Sequence, residues 1–413
     1  MDMFRSLRTS AKAQFGRHFA VVTALSLGPL VSTSFARFAY ALILPAMRSD
    51  LDLSYSQAGS LNTANALGYL VGSVIALRYV ARLGHRRLFC LGMIATVLAM
   101  LGCGITGDFV VQLGLRAVAG VSGALVFISG IVLVSNLSPE RPVIASAAVA
   151  IYFAGAGAGI VVSAIGIPFM LALRGDAAWR EAWIALAGLS AILTVLSISG
   201  ARRIDDPVTT RASVTWPVRE LGAALASYFM FGVGYIGYMT FIVASMVGRG
   251  ASHLDVAATW GTLGAAVMVA PLVWRIPRSR WNASRMLVIV GTVLTVGSAI
   301  PLYTVARPAM IVSAFLFGIA MFSVPATITD LVKASLAKAA WGSAIAFFTL
   351  LFAVGQILGP LLTGWLADAT HGLDGGLAGS TGALLLASVI AMYQRQTAAA
   401  TMPPSARERV AAR

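Results

Sequence analysis

Long uncharged apolar runs alternate with short polar breaks along almost the whole chain. The breaks divide it into twelve predicted spans, at 19–46, 55–80, 87–107, 109–135, 143–170, 181–200, 219–247, 255–275, 285–304, 308–332, 341–367 and 377–394. A helix of about twenty residues, rising ~1.5 Å each, crosses the ~30 Å hydrocarbon layer of a bilayer. Breaks such as LSPERP (137–142) and RRIDDP (202–207) join proline to charge, the combination that ends a helix. The pattern predicts an all-α integral membrane protein of twelve transmembrane helices.

Charge placement adds an orientation. With the amino terminus inside, the cytoplasmic segments carry 23 Lys and Arg and the opposite segments 5, with Arg37 and Arg116 left in the membrane. This asymmetry predicts that both termini are cytoplasmic. It also accounts for the net charge of +15 without a nucleic-acid partner. Composition agrees: 58% of residues are hydrophobic and 11% charged, against about 25% charged in soluble domains. The first apolar run is too long for a cleavable signal and lacks its small-residue cleavage pattern, so it is read as a retained span. Cys90 and Cys103 lie ~20 Å apart along one predicted helix, which predicts neither a disulfide nor a metal cluster.

The stretch 201–218 is the longest polar segment between spans. It predicts a first six-helix bundle over 1–200, a cytoplasmic central loop over 201–218 and a second bundle over 219–394. The remaining 395–413, rich in Ala, Pro and Arg, is expected to be a disordered cytoplasmic tail near the anionic leaflet. The halves align as repeats at an offset near 200. Gly155 and Gly159 match Gly355 and Gly359, Phe38-Ala-Tyr40 matches Ile236-Gly-Tyr238, and Gly120 matches Gly318. Parallel repeats of six spans are a transporter signature.

Arg37 is the first candidate functional residue. It lies eight residues before Pro45, about 12 Å inside the far end of the first span. An ionisable group at such depth is costly and faces a watery cavity or a partner. Arg116, Asn62 and Asn65 fall near the same level, and Tyr40 lies on the helix face of Arg37 at i+3.

Three motifs carry a family resemblance. Arg82-Leu-Gly84-His-Arg86-Arg87, between spans two and three, resembles the signature loop of the major facilitator superfamily, although Ala81 stands where an acid is expected. Arg116-Ala-Val-Ala-Gly120-Val-Ser-Gly123-Ala124 resembles its span-four pattern, with the second glycine displaced by one place. The glycine-rich fifth span resembles the antiporter-type motif without its Gly-Pro, a pair found instead at Gly359-Pro360. RFAYALILPAM (37–47) with the following 51–72 is most similar to the YbfB/YjiJ-type branch. The resemblance covers essentially the whole chain. It implies two pseudo-symmetric six-helix bundles, a central cavity lined by spans one and four, and a prokaryotic cytoplasmic membrane. The missing loop acid leaves the family's gating salt bridge without its carboxylate.

Two arginines with amide and phenol donors at one level would suit an anion, because guanidinium grips carboxylate bidentately. The expected binding residues are Arg37, Tyr40, Asn62, Asn65, Arg116, Tyr235, Tyr238 and Gln356, with Tyr235 at the repeat position of Arg37. Arg116 has an alternative as a residue reaching Asp108 or lipid head groups, and the asparagines an alternative as glue between helices. Arg82, Gly84, Arg86, Arg87, Gly120, Gly155, Gly159, Gly355 and Gly359 are the expected gating and close-packing positions.

The fifteen acids and four histidines all fall in loops or at span ends. No mid-membrane carboxylate or histidine therefore offers a proton relay. No P-loop and no catalytic constellation is present, so neither ATP hydrolysis nor an enzyme is expected, and no cofactor. An inside-negative potential opposes anion entry by ~2.3 kcal/mol per charge per 100 mV. Uptake would then need an accompanying proton or sodium, or exchange. The leading expectation is a monomeric secondary active transporter for a small organic anion, with a proton as one candidate coupling ion. Alternatives are proton-coupled efflux of drug-like or sugar-like compounds and, from another class, a non-transporting membrane sensor or scaffold.

Overall fold

A computed structural model describes residues 19–137, 142–206 and 215–394. The predicted tail 395–413, the first eighteen residues and 207–214 of the central loop lie outside the described residues. The described chain makes twelve helical traverses, with ends a few residues from the sequence expectation. They are α1 (Phe19–Asp50), α2 and α3 (together Tyr55–Ile105), α4 (Phe109–Ser135), α5 (Pro142–Arg174) and α6 (Trp179–Ala201). The second half continues with α7 (Gly222–Gly248), α8 (His253–Val273), α9 (Ala283–Tyr303), α10 (Arg307–Ser335), α11 (Trp341–Ala369) and α12 (Leu373–Met392).

Helix α2 runs into α3 with a single break at Gly84, whose φ of +77° is open to glycine and strained for other residues. A Cβ at Gly84 would meet Asp206 Oδ2 at 2.1 Å. The carboxylate of Asp206, from beyond α6, accepts from the backbone N–H of His85 at 2.8 Å and of Arg86 at 3.2 Å. It thereby satisfies the orphan donors that open α3. In the second half Asn282 holds the position 198 residues on and caps α9 with its own side chain, donated to by Arg285 N at 2.8 Å. The first half needs a distant carboxylate because its own position is a glycine.

The repeat is also written in the other caps. Ser54 and Gln57 form a capping box at the start of α2, and Ser252 and Asp255 form the equivalent box, again 198 residues on, at the start of α8.

Glycines set the packing inside each bundle. A Cβ on Gly155 would meet Ser26 O at 2.0 Å, and one on Gly159 Leu30 O at 2.8 Å, so α5 lies backbone to backbone on α1. Gly355 and Gly359 repeat the arrangement, 2.4 Å from Phe229 O and from Val233 O, placing α11 on α7. Gly120 seats α4 on α2, 2.0 Å from Asn65 O. All five positions sit inside a bundle. The bundle boundary is crossed elsewhere: Gly157 on α5 faces Gly264 and Met268 on α8, and Gly59 on α2 faces Pro360 on α11.

Hydrogen bonds join the bundles at one end of the molecule. Asp368, at the end of α11, accepts from Tyr55 N at 2.9 Å, Ser56 N at 2.8 Å and Ser56 Oγ at 2.5 Å, the opening turn of α2. Deeper in, Thr63 Oγ1 donates to Ile357 O at 2.8 Å and Asn62 Nδ2 to Thr240 Oγ1 at 2.6 Å. The outward faces of the bundle carry exposed apolar side chains such as Leu98, Val110, Leu173, Val195 and Leu272, as a lipid-facing surface requires.

Candidate functional site

The residues from Leu30 to Phe38 in α1 form a π-helical segment, in which Ala39 N bonds Ser34 O at 2.7 Å. Such insertions often mark functional positions, because they misalign the helix and re-aim its side chains. Arg37 lies in the last turn of this segment.

The structure brings the guanidinium of Arg116, from α4, against α1 at Ala36, the residue before Arg37, but surrounds the two arginines differently. Arg116 is 1% exposed. Its Nη1 donates to Ala36 O at 2.5 Å and its Nη2 to Asn62 Oδ1 at 3.4 Å. Its guanidinium carbon lies 4.6 Å from the Tyr40 ring and 5.6 Å from the Trp183 ring. The charge is held by a carbonyl, an amide and two π faces, with Nε alone lacking a hydrogen bond. Tyr40 is fixed in turn by donating to Ala58 O at 2.7 Å.

Arg37 is 9% exposed, and its Nε and Nη2 have no hydrogen-bond partner. Its guanidinium carbon lies 5.6 Å from the centre of the Tyr69 ring. No ion pair among the described residues includes it. A buried guanidinium with free donors is strongly attractive to an anion, because the cost of removing it from water is otherwise uncompensated.

A connected series of aromatic rings starts at the Tyr69 ring beside this charge. Tyr69 meets Phe127 at 6.4 Å between centroids, Phe127 meets Phe153 at 5.5 Å, and Phe153 meets Phe322 at 6.3 Å. Phe322 meets Phe38 at 6.4 Å, and Phe38 meets Tyr235 edge-on at 6.5 Å. The series draws one ring from each of α2, α4, α5, α10, α1 and α7, and so crosses from one bundle to the other. Tyr69 and Tyr235, its two ends, both lie within the electrostatic range of Arg37. Neither hydroxyl makes a hydrogen bond among the described residues.

Other expected positions fall outside this group. Tyr238 is buried within the second bundle, stacked on Phe317 at 4.4 Å with its hydroxyl 3.1 Å from Ser313 Oγ. Gln356 is buried on α11. Asn65 donates to Arg116 O at 3.1 Å, joining α2 to α4, while Asn62 links Arg116 to Thr240 across the bundle boundary. Arg82 and Arg87 are exposed beside the Gly84 break, and Arg86 reaches Asp206 through its backbone N–H.

Tyr69 and Asp368 are absent from the sequence expectation. Tyr69 was readable: Asn62, Asn65 and Tyr69 follow the i, i+3, i+7 spacing of one helix face. Asp368 gives no local signal, because its partners lie more than 300 residues away.

The family described as "Uncharacterised MFS-type transporter YbfB" matches residues 30–392. A Bacillus subtilis (strain 168) relative, "Uncharacterized MFS-type transporter YceJ", is 26% identical over 240 residues, which are 56% of this chain and 58% of that protein. A Yersinia pestis (strain Pestoides F) relative, also an uncharacterized MFS-type transporter, is 30% identical over 115 residues, 27% of this chain and 30% of the other. These matches thus span between about a third and about three fifths of the relatives' length. Among solved structures, a bacterial homologue of the human lysosomal transporter Spinster, in an inward-facing and unoccupied conformation, superposes with a TM-score of 0.72 at 14% identity. That superposition covers 94% of this chain and 99% of the homologue. A D-xylose-proton symporter superposes with a TM-score of 0.71, also at 14% identity, covering 92% and 99%. At such identities the likeness is one of fold.

Proposed function

Because the chain belongs to the major facilitator superfamily, in its family of YbfB-type transporters, we propose that it is a secondary active transporter that carries a small organic anion by alternating access. One observation supports the anion above all: the buried guanidinium of Arg37, with two free donors, at the junction of the two bundles. Each bundle supplies part of the surroundings, Tyr69 from the first and Tyr235 from the second. Rocking the bundles would change the site's access without dismantling either half. The chain contains both halves, so the working unit is a monomer.

With both termini in the cytoplasm of a prokaryote, the end held by Asp368 faces outward. The hydrogen bonds to the start of α2 then close the external side, and the bound anion exchanges with the cytoplasm. Opening outward requires those bonds to break, and cytoplasmic closure takes their place. For uptake the anion's charge must be offset, and a proton carried on the substrate's own carboxylate supplies this without a membrane-embedded relay.

Proteoliposomes test this reading. A carboxylate taken up or exchanged by the wild type, and not by Arg37→Gln, supports it. Efflux of neutral or cationic aromatic compounds is the second reading, favoured by the aromatic series between the bundles. It predicts transport of such compounds with Arg37→Gln still active.

A further inference from the structure

We infer that Arg48 is the outer docking residue for the transported anion, its guanidinium holding the carboxylate at the seam between the bundles before that end opens. The inference rests on the reading of the chain as an anion transporter. It adds where an anion arriving from outside is first bound.

The observation is an exception in a regular pattern. Five arginines and no lysine fall in the segments assigned to the outside. Four of them meet an acid: Arg174 pairs with Glu181, Arg180 with Asp50 at 3.7 Å, Arg249 with Asp374, and Arg307 with Asp255 at 2.5 Å. Arg48 forms no ion pair among the described residues, although Asp52 lies only four residues on. The outer side of a membrane protein carries few basic residues, and this one is left without a counter-charge.

Geometry gives the cation a fixed place and an open edge. Its guanidinium carbon lies 3.8 Å from the centre of the Tyr55 ring, a stacking distance that holds the planar group in one orientation. Nε is buried without a hydrogen-bond partner. The side chain is otherwise partly exposed, with Nη1 and Nη2 forming the edge left to the outside. Two N–H groups on such an edge match the two oxygens of one carboxylate. The anion is met from water at the mouth, so no internal space is required.

The place is the one that moves. Tyr55 N donates to Asp368 of α11 at 2.9 Å, and the Tyr55 ring meets Phe241 of α7 edge-on at 6.2 Å. Arg48 therefore rests on a residue that the second bundle contacts twice, at the contact that must break for outward opening. Arg37 precedes it by eleven residues on α1, close to three turns. That spacing puts the two arginines on nearly one helix face, about 16 Å apart. An anion released from Arg48 as the seam parts has the next free guanidinium along α1 at Arg37.

The test measures initial uptake of radiolabelled acetate, succinate and benzoate by intact bacterial cells that overproduce the full-length protein, less uptake by cells lacking it. Intact cells present only the outer side to the label. For whichever of the three enters in the wild type and not in Arg37→Gln, Arg48→Gln should raise KM about five- to tenfold and leave the maximal rate within about twofold. Arg48→Lys, which keeps the charge without the planar fork, should return KM to within about threefold of the wild type. Added salt should raise the wild-type KM and have little effect on that of Arg48→Gln. Arg174→Gln, at an arginine already paired with Glu181, should leave KM unchanged. Immunoblots of the membranes verify the amount of each variant. If Arg48→Gln is not produced, a wild-type KM that ignores salt would overturn the docking role. So would Arg37-dependent uptake whose KM is unchanged in Arg48→Gln, even with the maximal rate reduced, and either result leaves the anion reading standing. Uptake of none of the three, or uptake that persists in Arg37→Gln, would overturn both.

Discussion

Replacing Arg116 by methionine would remove the donor to Ala36 O and leave Asn62 Oδ1 without its partner in a dry interior. We expect Arg116→Met to lower stability by about 2–4 kcal/mol, as loss of a buried, charge-assisted network does. The drop would appear as an earlier transition in a thermal melt of the detergent-solubilised protein. Arg37 should behave in the opposite way. Its Nε and Nη2 contribute no hydrogen bond to the fold, so Arg37→Gln removes an uncompensated buried charge. Its melting temperature should equal or exceed that of the wild type while anion uptake is lost. Sequence put the two arginines at nearly the same level, because depth is a property of position along a helix. Which carbonyls and rings surround each is a property of how α1, α4 and α6 pack.

Helix contacts in this protein depend on backbone approach, and the glycines differ sharply in what they tolerate. A Cβ at Gly120 would sit 2.0 Å from Asn65 O, whereas one at Gly261 has nothing nearer than Ala164 Cβ at 3.9 Å. Gly120→Ala should therefore reduce the yield of monodisperse protein in size-exclusion chromatography, and Gly261→Ala should leave it unchanged. Gly84→Ala carries two costs, a strained φ of +77° and a clash with the Asp206 carboxylate at 2.1 Å. It should loosen the start of α3, which faster amide hydrogen exchange at residues 85–88 would reveal. The repeat of close-packing glycines was legible as a shared offset. That Gly155 and Gly355 pack inside the bundles, with Gly157 at the boundary between them, required knowing which face each helix turns inward.

For the molecule as a whole, the contact to test is Asp368 with the first turn of α2. Three hydrogen bonds to one carboxylate, aided by the helix dipole, favour the state in which this end is closed. Asp368→Ala should shift the balance of the two access states by about 1.5–3 kcal/mol, enough to enrich the alternative state manyfold. Nitroxides at Asp176 and Thr370, in a background without Cys90 and Cys103, would show the shift as growth of a longer distance between the bundles. An unchanged distance distribution would mean that the glycine contacts hold this end closed without the carboxylate.

Sequence by itself determined the helices, their number, the pairing of the halves and the family. Those properties follow from the hydrophobic thickness of a membrane and from offsets along one dimension. It also marked Arg37, since a lone charge within an apolar run is conspicuous without a structure. Tertiary structure decided which polar groups are already satisfied. It gave Arg116 a carbonyl, an amide and two rings, and gave Asp368 to the far bundle. It also joined six aromatic rings from six helices into one series that begins at the Tyr69 ring beside Arg37. Partners separated by 54 to 313 residues leave no periodicity to read, because each contact depends on the rotation of two helices at once.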